Sequence, residues 1–494
     1  MRNLSALTIG LILTAMVCSC NKMLDVPSKR AVSEENMWQN KNDALAATAG
    51  CYAMMRAALL NENAYWVYGE LRAGDFTVTS REDLRDVTEN NLQSSYPAMG
   101  QWRDWRRFYA AIAQCNLAIA RLPEVPERDY RYSVNAMELD LAQVRYIRAF
   151  LYYYITRVWG DVPLITEPSD GTFQPKARED RKKVLDFAAR EALDCADGLP
   201  WKYDGTFPEA PGDYRGQGVS HHASIFITKG MAYTLAAHIY AENGEYDKAL
   251  LYINQVINNQ SLTGYGFVST SDLSRLDGTF RGRGFSNIFQ VDMNFDHAEI
   301  STTGQLEDWT LREPDIPKTQ SEIYVSKDSI LAIYNEPFDE RPSFFFTQME
   351  TVDPVFYKVK QLNAEVKNPT LRRYSSAIVI FRYEELYLLR AECFARLGQN
   401  GDAIGALNDM RGRRKLHAVD GSLSGDALLD AILQERRREL IGEGWRWFDL
   451  VHFGKVPQFS TLSETDVQNG AGYWPISQEA LTQNKLLVQS NYWK

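Results

Sequence analysis

Cysteine and histidine are scarce in this chain, six of each in 494 residues. A disulfide scaffold or a dense metal site would have to be built from very little. Cys51, Cys115, Cys195 and Cys393 stand far apart in helical patterns with no CxxC among them, and they read as small buried thiols. An excess of positive charge is also missing. Lys and Arg number 54 against 64 Asp and Glu, a net charge of −10, which lacks the electrostatic footprint of a nucleic-acid binder. Long apolar runs are absent as well: the run Leu4 to Val17 falls short of the roughly 20 residues a membrane span needs, and no later run is longer. No HExxH, G-x-S-x-G, P-loop or catalytic-cysteine signature occurs, so no catalytic residue, metal or cofactor is expected. Gly264-Tyr265-Gly266 and Gly282-Arg283-Gly284 each lack the third glycine of a dinucleotide loop. Asp292 to Asp296 imitates the start of a calcium loop, but His297 stands where that loop needs Gly and Thr303 where it needs the bidentate Glu. His221 and His222 are adjacent and point apart in most conformations.

What is present is a globular composition, 45% hydrophobic and 24% charged, with ample apolar content for a large core. The N-terminus sets an expected compartment. Arg2, the short apolar run and Cys18-Ser19-Cys20 have the order of a lipoprotein signal peptide, residues 1–19, cut before Cys20. Cys20 would then carry acyl chains, each buried CH₂ worth ~0.8 kcal/mol, and residues 20–32 would tether lipid to fold.

Helical periodicity predicts hairpins at about 33–122, 138–196, 222–259 and 382–415, interrupted by insertions at about 61–100 and 260–380, with a final segment 426–494. Two units repeat. Ala237, Tyr240, Ala241, Gly244, Ala249 and Ile253 have the spacing of Ala391, Phe394, Ala395, Gly398, Ala403 and Leu407. An aromatic closing the first helix, a Gly at the turn and a small Ala at the crossing make the grammar of a tetratricopeptide hairpin. The 260–380 insertion, rich in Gly, Pro, Thr and aromatics, reads as loops with a few short strands such as 286–291 and 377–381. Arg436-Arg437-Arg438 sits within a turn of Glu435, Glu439 and Glu443, which reads as a charge-balanced surface or a buried ion-pair network. The chain carries 11 Trp, 26 Tyr and 22 Phe, many in loops. Aromatic loop residues beside Arg, Asp and Asn suit sugars, whose C–H faces stack on rings and whose hydroxyls need polar partners, although core packing accounts for most of them.

The stretch Glu435-Arg-Arg-Arg-Glu-Leu-Ile-Gly-Glu-Gly-Trp-Arg-Trp-Phe-Asp-Leu-Val-His-Phe-Gly454 resembles the C-terminal signature of the SusD/RagB family of Bacteroidetes nutrient-binding lipoproteins. Arg145 to Leu164, Arg382 to Gly398, and Tyr473-Trp-Pro-Ile-Ser-Gln478 agree in order, so the resemblance covers essentially the whole mature chain. Ile441-Gly442 and Ser477 depart from the usual pattern. The resemblance implies a mainly α fold of four tetratricopeptide-like hairpins with a loop-rich insertion. It implies a non-enzymatic, glycan-binding lipoprotein on the extracellular face of the outer membrane, working with a SusC-like TonB-dependent barrel as a hinged lid. Peptide cargo and a tetratricopeptide assembly scaffold are the alternatives, and a glycoside hydrolase stands third. The ligand surface is expected from two regions. Trp66, Asp75 and Arg81 come from 61–100, and Arg283, Trp309 and Arg312 from about 280–325, ahead of a helix at 326–334. Trp309 is the leading candidate because Glu307, Asp308 and Arg312 leave it no apolar stripe to join, whereas Trp66 lies among Tyr65, Val67 and Tyr68.

Overall fold

The computed structural model describes residues 37–210, 212–214, 217–218, 223–276, 278–282, 284–293, 306–360, 362–365 and 368–494. The expected signal peptide, Cys20 and the tether lie outside the described residues. So do Arg283, the paired histidines and most of the calcium-loop imitation.

The fold is mainly α. Among the described residues nine longer helices succeed one another: α1 Lys41–Leu60, α2 Arg106–Arg121, α3 Val134–Trp159, α4 Arg181–Asp194, α5 Lys229–Glu242, α6 Tyr246–Asn258, α7 Tyr383–Arg396, α8 Asn400–Arg413 and α9 Gly425–Leu440. Each packs on the next in chain order, so the core grows by local accretion. α1 begins eight residues later than periodicity alone suggests. Asn40 caps it, its side chain accepting from the backbone N–H of Asn42 and Asp43 while Asp43 closes the capping box. The continuous helix expected at 101–122 is broken, because Pro97 starts a separate helix Pro97–Arg103 and Asp104 leaves helical geometry at φ −92, ψ 104. The Asp104 carboxylate then accepts the Arg106 N–H at 3.0 Å and starts α2 afresh. α3 is buried on nearly every side from Leu139 to Trp159, the mark of a central helix.

The repeated spacing has a direct counterpart in the backbone. α5–α6 and α7–α8 turn at Gly244 and Gly398, with φ of 76° and 75°, a left-handed geometry that glycine adopts without the Cβ penalty. Ala249 and Ala403 are fully buried at the crossings.

The insertions supply short strands. β1 Thr77–Val78 pairs with β3 Ile323–Tyr324, and β2 Asn287–Val291 with β4 Ile378–Arg382, all antiparallel. Cys51, Cys115, Cys195 and Cys393 are buried free thiols. Among the described residues no helix is long and apolar enough to cross a membrane.

Along α9 the charged run turns inward. Arg436 donates to Asp449 and Glu385, both at 2.9 Å, and Arg438 pairs with Glu336 at 2.7 Å. Glu439, fully buried, accepts from Arg414 at 2.7 and 2.9 Å, Arg382 at 2.9 Å and Arg341 at 3.2 Å. A charge out of water is tolerated only when paired and hydrogen-bonded in this way.

Candidate functional site

The first insertion folds back on the start of α2 and leaves an open cleft of about 500 Å³, lined by Asn61, Glu62, Asp83, Pro97, Ala98, Gln101 and Arg107. Its upper edge is a strained turn. Glu62 and Asn63 both adopt left-handed geometry, at φ 50, ψ 39 and φ 52, ψ 34, which costs on the order of 1–3 kcal/mol for each non-glycine residue. Trp102, fully buried, holds the turn by donating its indole N–H to the Glu62 carbonyl at 2.9 Å. Tyr68 in turn donates its hydroxyl to the Trp102 carbonyl at 2.6 Å. The helix Pro97–Arg103 is thus suspended from residue 62, and the two walls of the cleft are fixed relative to each other.

The polar groups are fixed too. Arg81 grips Asp83 with both arms, Nε to Oδ1 at 2.7 Å and Nη2 to Oδ2 at 2.5 Å, while its Nη1 reaches Glu322 at 3.2 Å. The hydrogen bonds it donates to Asp83 raise the Arg81 pKa above its ordinary value. Arg107 donates to Gln101 at 2.5 Å.

The second insertion supports this arrangement from behind. Thr77 pairs with Tyr324 and Val78 with Ile323, and the Thr79 hydroxyl donates to the Ser321 and Glu322 carbonyls at 2.7 and 2.9 Å. Lys318 braces Glu322 at 3.0 Å and Asp308 at 2.9 Å. The Trp309 ring lies under the Arg81 guanidinium at 5.5 Å and meets Trp66 edge-on at 6.2 Å. Arg81, Trp309 and Trp66, chosen from sequence positions far apart, are therefore brought together.

Their presentation differs from the expectation. Trp309 is 2% exposed and belongs to the main core, so the idea that no apolar stripe receives it is corrected. Its apolar neighbours come from the first insertion, remote in sequence, rather than from its own helix Leu306–Thr310. Trp66 is buried as well and donates its N–H to the Gly442 carbonyl at 3.2 Å. Asp75 is buried against Arg437 and faces Arg446 at 3.7 Å. Arg312 is consumed by Gln348, Asp353 and Thr351 at 2.8, 2.9 and 3.3 Å. Of the five that are described, Arg81 keeps substantial side-chain exposure, 33%. The helix expected at 326–334 is present as Lys327–Ile333, capped by Ser326. The ligand surface expected at 61–100 and about 280–325 did not include Glu62, Asp83, Gln101 or Arg107, which line the cleft. Pro97 opening a second helix was the available signal.

A second cavity, about 50 Å³, lies between Trp66, Phe280, Glu307 and Gly442. That volume suits water rather than a sugar ring. Glu307 there is buried and accepts the Ser376 N–H at 3.0 Å, and burial raises its pKa.

The sequence model of the SusD family matches residues 348–493. A solved SusD superfamily protein from Bacteroides thetaiotaomicron is 34% identical and superposes with a TM-score of 0.83, covering 93% of this chain and all of that one. This chain belongs to the SusD family. SusD-like protein P38 of Formosa agariphila is 26% identical over 99% of both chains. A structure described as a laminarin-binding SusD-like protein shares the fold at 20% identity and a TM-score of 0.70, covering 92% of this chain and 99% of that one.

In this SusD family member the matched segment packs against the helix that opens the first insertion. Glu70, at the end of the first insertion's opening helix, accepts the N–H groups of Gly442, Gly444 and Trp445 at 2.8, 3.0 and 3.3 Å. Burial nevertheless pushes its pKa up to about 8. Gly69 sits so close to this loop that a Cβ would lie 1.8 Å from the Gly444 carbonyl oxygen. Gly442 and Gly444, with φ of 76° and 81°, allow the turn that brings the loop to Glu70.

Proposed function

We propose that this chain is a non-enzymatic, glycan-binding lipoprotein of the cell surface. It captures an oligo- or polysaccharide in the cleft beside Asp83 and passes it to a SusC-like TonB-dependent barrel. The observation that carries the reading is the open cleft of about 500 Å³ in which the Asp83 carboxylate, the Gln101 amide and the Arg107 guanidinium already hold hydrogen-bond partners. Pre-set polar groups avoid the ordering cost that weakens binding, and a sugar presents many hydroxyls to such groups. Family membership and the laminarin-binding relative support the same ligand class. Trp309, Trp66, Asp75 and Arg312 then serve as the cleft's support rather than as ligand contacts, with Arg81 between the two roles. The surface anchor is the acylated Cys20, and the barrel supplies the channel that a lid lacks.

Calorimetry of the mature protein against neutral laminari-, manno-, xylo- and malto-oligosaccharides, and against oligogalacturonate and sulfated galactan, tests the ligand class. Saturable binding to at least one member, lost when Gln101 and Arg107 are replaced by Ala, is the expected result. Binding of peptides with silence across the glycans would establish the peptide alternative instead. For the anchor and the partner, Cys20→Ala should lose palmitate labelling, and mild-detergent purification from native membranes should recover the barrel in near-equal amount.

A further inference from the structure

The helices α1 and α2 run antiparallel, and contacts at their two ends fix the register. The Lys41 N–H donates to the Asp129 carboxylate at 2.9 Å and Arg128 donates to the Trp38 carbonyl at 2.9 Å, so the start of α1 meets the chain just beyond the end of α2. At the other end the Trp102 bond to the Glu62 carbonyl joins the chain just after α1 to the chain just before α2. Midway between these ends Cys51 and Cys115 stand opposite each other. Both are fully buried, and the Cys51 side chain is a hydrogen-bonding neighbour of the Cys115 thiol. Small residues keep the crossing close. A Cβ on Gly50 would touch the Gln114 amide at 3.6 Å, and Ala47, Ala111 and Ala118 are buried beside the two cysteines. A disulfide needs Cα atoms within about 7 Å. Helix axes about 8–10 Å apart bring facing Cα atoms, each about 2.3 Å off its axis, into that range. The structure holds the pair as thiols. Cys195, by contrast, donates to the Ala192 carbonyl at 3.2 Å, and Cys393 lies on α7.

We infer that Cys51 and Cys115 form a disulfide, closed as α1 meets α2 while the exported chain folds outside the reducing cytosol. This rests on the surface location proposed above and goes beyond it in assigning a covalent modification. The chemistry is exchange with an oxidising disulfide, that of a protein or of glutathione. One cysteine thiolate attacks a sulfur of that disulfide and expels the other sulfur as a thiolate. The second cysteine thiolate then attacks the mixed disulfide, so the pair gives up two electrons, the partner is reduced to two thiols, and the protons pass from the cysteines to the departing thiolates. Exchange precedes burial, because burial pushes the Cys115 thiol well above its ordinary value and leaves no thiolate to attack. The ring so closed encloses residues 52–114. It contains the whole 61–100 insertion and the cleft residues Glu62, Asp83, Gln101 and Arg107, so the cleft is built on a covalently closed base.

Two preparations test it, the first independent of where the protein resides. The mature chain carrying Cys20→Ala is reduced in denaturant, refolded in a buffer of reduced and oxidised glutathione, alkylated in denaturant and mapped by mass spectrometry. The expected result is a linked Cys51–Cys115 peptide pair with Cys195 and Cys393 alkylated. Refolding with excess reductant instead should give a protein whose Tm is lower by roughly 4 °C, from the loop-closure entropy of a ring of this length. Alkylation of both Cys51 and Cys115 after refolding in the glutathione buffer, or their linkage to other cysteines, would overturn the pairing. The second preparation is wild-type protein extracted from native membranes directly into alkylating denaturant, and the same linked peptides are expected. Protein that carries the Cys20 lipid yet has both cysteines alkylated would overturn the bridge. Protein that lacks the lipid and has both alkylated would sink the surface location, and the refolded chain alone would then decide the pairing.

Discussion

Replacing Glu439 by Gln keeps the shape of the side chain and removes one negative charge from among three guanidinium groups. Arg341, Arg382 and Arg414 all donate to this one carboxylate, which is fully buried. In the variant one oxygen becomes an amide N–H₂ that faces donors. Removing one partner of a buried ion pair costs about 3–5 kcal/mol. Here the remaining partners soften the loss, since Arg341 retains Asp339 and Glu435 and Arg382 retains Glu443. Arg414 is left with Glu384 at 3.7 Å and the Val268 carbonyl at 2.7 Å. The lower end, about 3 kcal/mol, is therefore expected, and with an unfolding entropy of about 2.1 cal/mol/K per residue it lowers Tm by roughly 3 °C in a chain of this size. The pH dependence adds a second readout. The surrounding arginines, outweighing the cost of burial, hold the Glu439 carboxyl well below its ordinary 4.5, and Glu242 and Glu385 are held at about 2. A depressed folded pKa contributes stability that is present above the unfolded value and lost as pH falls through the folded one. Wild-type stability should therefore fall between pH 4.5 and 2, and Glu439→Gln should fall less steeply over the same interval. Differential scanning calorimetry across pH 2–8 measures both effects. A variant within 1 °C of wild type at pH 7, with an unchanged acid slope, would refute the claim that this carboxylate is the charge balance of α9.

Gly69→Ala places a Cβ 1.8 Å from a backbone oxygen, so both partners must shift, and a loss of about 3 kcal/mol, the top of the usual overpacking range, is expected by urea unfolding. Trp309→Ala should cost about 3–5 kcal/mol, as for a large buried aromatic, and an unchanged urea midpoint would return this residue to the surface. The His452 pKa is raised because Glu392 at 2.7 Å, with Glu242 at 3.9 Å, outweighs the opposing effect of burial. A raised folded pKa gives stability that is complete below pH 6.5 and lost as pH climbs through the folded value. Tm should decline over that alkaline interval, and His452→Gln should flatten the decline.

The helical scaffold was legible because its signals are local. The apolar stripes and turn glycines of α5–α6 and α7–α8 lie within one hairpin each, and the acids that neutralise Arg436 to Arg438 lie partly in the same helix. The cleft was legible as a region and not as residues. Trp66 and Asp75 have the chemistry of ligand contacts, yet their partners Gly442 and Arg437 lie in the C-terminal segment and draw them inward. Trp309 has Glu307, Asp308 and Arg312 close by in sequence, while its apolar contact with Trp66 is a product of tertiary folding. Conversely Glu62 and Gln101 look like ordinary surface polar residues, and only the strained turn at 62–63 and the break at Asp104 set them facing each other.

The pairing of β1 with β3 involves two residues on each side, yet it bears on how such binding surfaces can diversify. A loop that closes on itself can be exchanged between relatives as a cassette. The 61–100 loop instead ends its pairing on backbone groups of residues 321–324, and its Arg81 leans on Glu322 and Trp309. A chimaera that receives one insertion from a relative should lose cleft order, whereas one that receives both from the same donor should keep it. New ligand preferences in this scaffold would then arise by matched changes in two distant stretches of gene, and recombination that separates them would be selected against.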